Sequence, residues 1–315
     1  MKPLVSVIIP YYNRPQKLLR ALNAVYQQTH TNIEVIVVDD ASTVPPEGLE
    51  TFTNLIVLKN PQNSGPGISR NKGMQEATGT YLAFLDCDDY WAPEFLAECL
   101  QAFETATTPI VFVYANSYNV NQTEKQGLRH GKLVTNTQIL PDIFISGRPW
   151  CTSACLWKRI LLRETPWIEA RTWEDYAFDV EAALKCNQVA VIKKPLVFYE
   201  VGGNDKLSDQ AKDKTEKEKT KALIHIAKKL ANTPLGKQPF MHYKLEALLT
   251  ARLLYKVRNN ELIKPKSTLL QEYEKYSGQW KTAIIRILLK TIRKGAIKLL
   301  EKQKLNANLK ADAQL

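Results

Sequence analysis

The chain has 315 residues, 44% of them apolar, and a formal net charge of +11. That is long enough to bury one large core or two, with the composition of an ordinary soluble globular protein. No apolar run approaches the ~20 residues that span a bilayer, and Met1-Lys2-Pro3 leads straight into a strand-like run rather than a signal peptide, so a cytoplasmic protein is expected.

The five cysteines are an odd number, and only Cys151 and Cys155 lie near each other, which suits reduced thiols. That pair lacks the nearby His or further Cys that a zinc site needs. Charge is uneven. Residues 206–315 carry 25 Lys/Arg against 10 Asp/Glu, a net +15, while residues 1–205 carry a net −4. Two regions with different roles are expected: 1–205, and a basic helical region over 206–315.

In chain order, Leu4 to Pro10 reads as a strand, stopped by Pro10. Pro15 suits the first turn of a helix, and Leu18, Leu19, Leu22 and Val25 continue it at helical spacing to about Gln28. Ile33–Val38 is a second strand, ending in Asp39-Asp40, and Leu55–Leu58 a third. Asn63-Ser64-Gly65-Pro66-Gly67 opens a helix to about Ala77. Tyr81–Leu85 is an apolar strand that ends in Asp86-Cys87-Asp88-Asp89. A helix from Pro93 to about Thr105 and a strand at Ile110–Tyr114 follow. Residues 115–149 are polar and poorly periodic and read as loops or short antiparallel strands. Residues 149–159 read as a short strand running into a helix, 173–184 as a helix, and 189–192 and 196–199 as a final pair of strands. Beyond 205, helices are expected over 240–258 and, basic and amphipathic, over 280–302.

Strands alternating with helices predict an α/β layer fold around a mostly parallel sheet. Ligands of such sheets gather at the carboxyl ends of the strands. Asp39, Asp40, Asp86, Asp88 and Asp89 all fall at such ends, which points to one shared acidic site. Clustered carboxylates suit a hard divalent cation with oxygen ligands. The alternative for Asp86–Asp89 alone is a solvated acidic turn with Asp89 capping the next helix. For Glu174 and Asp175 it is a favourable placement at a helix N-terminus.

These segments, in their order, carry a resemblance. Val5–Arg14, Ile36–Ser42, Asn63–Gly73, Phe84–Asp89 and Trp173–Asp175 are similar to the motifs of a family-2 glycosyltransferase of the GT-A fold. The likeness covers about residues 1–205. It implies a GT-A α/β domain that moves a sugar from a nucleotide-diphosphate sugar, most readily a UDP-sugar, to a hydroxyl of a glycan or lipid-linked acceptor, with inversion, in surface polysaccharide synthesis. It implies Mn²⁺ or Mg²⁺ held by Asp88, with Asp86 near the ribose and Asp39 on the base or ribose edge. Pro10, Tyr11 and Asn13 would line the base pocket, Arg70 would stand as a cation near the nucleotide, and Gly65 would let backbone approach closely. Asp175 would be the general base and Glu174 its neighbour. Trp150 or Trp173 would stack on a sugar or belong to the core. A bridging cation reverses the repulsion between carboxylates and a diphosphate and stabilises the leaving group.

One departure concerns the loop Tyr199–Asp205, which has no His where many relatives carry one. The basic C-terminal region has two readings: packing for 240–275, and contact with an anionic membrane surface through 280–303. A nucleotidyltransferase on a similar sheet would release pyrophosphate instead of a nucleoside diphosphate. A nucleic-acid-binding module in 206–315 lacks interleaved aromatics or a groove-reading motif, and no nucleic acid is expected as a partner.

Overall fold

The computed structural model describes residues 2–121, 124–202, 212–258 and 268–278. The chain divides into two compact units, Met1–Ala222 and Leu223–Leu315. The boundary expected near 205 falls in 203–211, outside the described residues, as does the basic helix expected over 280–302.

The first unit begins with β1 (Val5–Tyr11), α1 (Pro15–Tyr26), β2 (Ile33–Asp39) and β3 (Leu55–Lys59). Next come α2 (Pro66–Glu76), β4 (Tyr81–Phe84), the short β5 (Tyr90–Trp91) and α3 (Phe95–Thr105). β6 (Phe112–Asn121), β7 (Glu124–Leu128), α4 (Asp142–Ile145), β8 (Cys155–Lys158), α5 (Glu174–Ala183) and β9 (Val189–Glu200) complete it. One sheet joins the strands in the order β3-β2-β1-β4-β8-β6-β9-β5, with β7 paired to β6. β3, β2, β1 and β4 are parallel, as the alternating pattern predicts. β8 runs antiparallel between β4 and β6, and β9 pairs with β6 in parallel.

Alternation along β1 assigns the two faces. Val5, Val7 and Ile9 share a core with Leu18, Leu22 and Val25 of α1 and with Phe95, Leu96 and Cys99 of α3. Ile8 points the other way, towards α2. There Gly73 lies so close that a Cβ would come within 2.5 Å of Ile8 Cγ2. The same face holds an aromatic cluster: Phe178 of α5 stacks on Trp167 at 4.1 Å and meets Phe84 and Trp157 edge-on. α5 is therefore seated beside the carboxyl end of β4 by ring packing.

Three local expectations change. The two strands at 189–192 and 196–199 are one, because β9 absorbs the exposed Lys193-Lys194 pair as an irregularity while its register with β6 shifts around Asn116. β6 extends through residues 115–121, read as loops or short antiparallel strands, and pairs antiparallel with β7 there. Polar Asn116 hides the strand pattern, yet it is buried and bonded to Val134 and Ile192 carbonyls, both at 3.1 Å. After β8 the expected helix is a single 3₁₀ turn, Arg159–Leu162.

α6 (Lys212–Leu230) leads into the second unit, where α7 (Pro239–Arg258) and a helix over 268–278 follow. Met241, Leu245, Leu249 and Leu253 form the buried stripe of α7. Tyr276 Oη donates to the Ala227 carbonyl at 2.7 Å. No described helix is long and apolar enough to cross a membrane.

The close approach of α2 to β1 gives a test. Gly73→Ala must displace Ile8, and overpacking of this kind costs about 1–3 kcal/mol. Urea denaturation should show that loss as a lower midpoint with an unchanged slope.

Candidate active site

The carboxyl ends of β1, β2 and β4 and the N-termini of α2 and α5 open on one cleft of about 750 Å³. Pro10, Tyr11, Asn13, Gly65, Arg70, Asp86, Asp88, Glu174 and Asp175 all line it. Asp39 is the expected residue that does not. It lies at the end of β2, 3% exposed, where its Oδ1 accepts the Ser42 N–H at 2.8 Å. Its neighbour Asp40 lines the cleft instead. Asp40 accepts the backbone N–H groups of Ser64 and Gly65 at 2.9 and 2.7 Å, which pins the loop that starts α2. Gly65 itself has φ +90°, a conformation that side chains rarely adopt.

Three non-glycine residues near the cleft also sit in the left-handed region: Asn13 (φ 52°), Ala41 (φ 60°) and Trp173 (φ 64°). Each position costs roughly 1–3 kcal/mol and needs support from its surroundings. At Asn13 that support is visible. Its Oδ1 accepts the Thr43 and Val44 N–H groups at 2.8 and 3.0 Å, and its own N–H donates to Ser42 Oγ at 3.0 Å. The Tyr11 hydroxyl donates to the Val44 carbonyl at 2.7 Å. Asn13 and Tyr11, which line the cleft themselves, therefore shape the loop after β2.

The acidic end of β4 divides into three roles. Asp86 accepts from Arg70 Nη2 at 2.5 Å. Asp88 accepts from Arg14 Nη1 at 2.7 Å. Asp89 is 1% exposed and turns inward, accepting the Ser153 hydroxyl at 2.5 Å and the Glu200 N–H at 3.0 Å. Burial, then the Asp88 and Asp86 charges, push the Asp89 carboxyl well up. Asp89 is thus a structural tie between β4, the segment before β8 and the end of β9. Burial, then the Asp86 charge, also push Asp88 up, against Arg14 and Lys17.

Arg70 is 2% exposed and lies 4.4 Å over the ring of Trp167. Besides Asp86 it reaches Glu174 Oε1 at 3.3 Å. It binds the acidic strand end to the first residue of α5. Glu174 is pushed from 4.5 to about 7 by burial and then by the Asp175 charge, with Arg70 opposing. Asp175 is more open, its side chain 27% exposed, and pairs with Arg148 Nη1 at 3.1 Å. Trp150 is core, 1% exposed, with its Nε1–H on Asp179 at 2.8 Å. Trp173 lines the cleft and packs on Tyr176.

Among the described residues no three His, Cys, Asp or Glu side chains are grouped to hold a metal. The donor chemistry nonetheless fits a hard cation. Asp86 and Asp88 are adjacent oxygen donors on the cleft wall, each already holding a guanidinium, and Mg²⁺-type sites use one or two carboxylates plus substrate phosphates.

Residues 6–157 match the family model described as Glycosyl transferase family 2. This segment belongs to that family. The protein is a glycosyltransferase. An uncharacterized glycosyltransferase of Nostoc sp., alr2836, is 28% identical over 244 residues, covering 72% of this chain and 74% of the relative. Among solved structures, Staphylococcus aureus TarS 1–349 in complex with UDP-GlcNAc superposes with a TM-score of 0.66 at 21% identity, over 92% of this chain and 87% of that one. The mannosyltransferase PcManGT of Pyrobaculum calidifontis, in complex with GDP-Man and Mn²⁺, gives 0.52 at 18% identity, over 95% and 88%. At such identities these likenesses establish the fold, which is GT-A.

Several residues in or beneath the cleft carried no sequence signal of their own. Arg14 stands within a motif, but its partner Asp88 is 74 residues away. Arg171 lines the cleft and donates to the Asn63 carbonyl at 2.9 Å across 108 residues. Arg148 and Asp179 are likewise set by tertiary contact. One cue was available: Asp175 and Asp179, four apart on one helix, share a face, and like charges there call for a cation. Tyr199 and Glu200 line the cleft, while 203–205 of the loop without a His lie outside the described residues.

Glu174 makes stability depend on pH. Its folded-state pKa of about 7 lies above the unfolded value, so the folded protein binds more protons between pH ~4.5 and ~7. Its contribution to stability therefore falls as pH rises through that window, by at most about 3 kcal/mol. Thermal melts at pH 5 and 8 should show a smaller drop in Tm for Glu174→Gln than for wild type. An equal drop would place the titration elsewhere.

Proposed function

We propose that the enzyme is an inverting, cation-dependent transferase of a nucleotide-diphosphate sugar, most readily a UDP-sugar, acting on a hydroxyl of a glycan or lipid-linked acceptor in surface polysaccharide synthesis. The observation that carries this reading is the cleft itself. Two carboxylates on one wall, Asp86 and Asp88, face a second carboxylate pair, Glu174 and Asp175, on the other, with Arg70 fixed between them.

In this reading the donor lies along the carboxyl ends of β1 and β4. Pro10, Tyr11 and Asn13 line the base side, and the tight turn at Gly65 lets the backbone approach. Asp86, oriented by Arg70, accepts from the ribose. Asp39 acts on the base edge from beneath, through the Ser42 loop it holds. Asp88 would hold Mn²⁺ or Mg²⁺, and such an ion supplies charge compensation for the diphosphate leaving group. The complex of PcManGT with GDP-Man and Mn²⁺ supports that pairing of donor and cation, and the TarS complex with UDP-GlcNAc supports the UDP-sugar. Asp175, the more open of its pair, takes the proton of the acceptor hydroxyl as it attacks the anomeric carbon in line. Glu174 remains beside it on Arg70. Residues 1–205 would form the catalytic part and 206–315 a basic region. The proposed membrane contact through 280–303 falls outside the described residues.

Calorimetry with UDP-sugars in Mn²⁺ tests the donor side. Asp88→Ala should lose cation-dependent donor binding while keeping its circular dichroism spectrum; unchanged affinity would sink the metal role. Asp175→Asn should bind donor as wild type does and fail to transfer, with turnover down on the order of 10²–10⁴-fold. Wild-type turnover in that variant would place the base elsewhere.

A further inference from the structure

Beneath Asp175 lies a second buried guanidinium. Arg148 is 8% exposed, on the segment between α4 and β8. Its Nε donates to Asp179 Oδ2 at 2.7 Å and its Nη2 to Asp179 Oδ1 at 3.4 Å. Nη1 lies 3.3 Å from both the Trp150 carbonyl and Thr152 Oγ1. Asp179 is itself fully buried and also accepts the Trp150 indole N–H at 2.8 Å. Held in this way, the planar guanidinium has little rotational freedom, and a bidentate pair of this kind fixes direction as well as charge.

The remaining reach of Nη1 is towards the cleft, 3.1 Å from Asp175 Oδ2. The other oxygen of Asp175 accepts the N–H of Tyr176 at 2.9 Å. The Arg148 N–H in turn donates to the Tyr176 hydroxyl at 3.0 Å. Both carboxylate oxygens are therefore engaged from below. A carboxylate has about four lone-pair sites, which leaves capacity on the cleft side.

We infer that Arg148, anchored by Asp179, is the positioning residue that fixes the Asp175 carboxylate for the acceptor hydroxyl; this rests on Asp175 being the base. Arg148 is not among the residues that line the cleft. It sets the rotamer of the carboxylate and supplies the positive charge between Asp175 and Asp179, which share one face of α5. Misplacing a reacting group by about 1 Å costs on the order of 10²-fold in rate.

Removing Arg148 alone would strand the Asp179 charge in the core, so the informative variant is the double replacement Arg148→Gln with Asp179→Asn, which leaves two neutral amides. Donor affinity is read by calorimetry, and kcat and KM for donor by release of the nucleoside diphosphate. The double variant should fold, bind donor within about twofold of wild type, and lose on the order of 10²-fold in kcat. Arg148→Lys, which keeps the charge and loses the fork, should fall between. Loss of donor affinity in step with kcat would show a merely structural role and overturn the inference. Wild-type kcat in the double variant, with Asp175→Asn inactive, would overturn it while leaving Asp175 as the base. Full turnover by Asp175→Asn would remove the base and the inference together.

Discussion

The cleft depends on one buried cation. Arg70, stacked over Trp167 and out of water, holds Asp86 from the end of β4 and Glu174 from the start of α5. Without it, carboxylates from two elements would face each other in a semi-buried cleft, where repulsion and desolvation act together. With it, the cleft wall from the end of β4 and the wall from the start of α5 are linked. Breaking a buried pair by removing one partner leaves an uncompensated charge, which is costly in a way that an exposed pair is not. The aromatic cluster beneath, with Phe178 on Trp167, ties the same point into the core.

Around this link the fold repeats a single device. Two of the parallel strands, β2 and β4, deliver acids at their carboxyl ends, and each acid is given a different task by what it meets. Asp39 and Asp40 meet backbone amides and become loop anchors. Asp86 and Asp88 meet guanidinium groups and stay on the cleft wall. Asp89 meets a hydroxyl and an amide and becomes interior. Burial decides between these outcomes. Burial and the neighbouring Asp88 and Asp86 charges push Asp89 well up, whereas Arg14 opposes the shift at Asp88. The left-handed residues Asn13, Ala41 and Trp173 lie where chain leaves strand or enters helix, which is where the backbone must turn sharply to bring these ends together.

Much of this was legible in the chain. The first four parallel strands, the helices between them and the acidic strand ends followed from apolar periodicity and from the abrupt change to carboxylates. Nine of the residues expected at the site do line it. The weak points were polar or interrupted strands. β6 continues through Asn116, Ser117 and Asn119, which pair with β9 far away in sequence, and β9 carries Lys193-Lys194 as an irregularity between the paired Ile192 and Pro195. Periodicity reports which face is apolar, and it is silent where a buried polar side chain is satisfied by a distant carbonyl.

The amino-acid sequence by itself determined the α/β layering, the order of motifs and the supply of carboxylates, since these depend on local pattern and on chain direction. Tertiary structure alone decided which cation meets which acid. Arg14 with Asp88, Arg70 with Glu174 and Arg148 with Asp175 are pairs of large separation along the chain. Their partners are chosen by sheet order and by the seating of α5, and no local pattern encodes a distance between side chains that meet only when the core has closed.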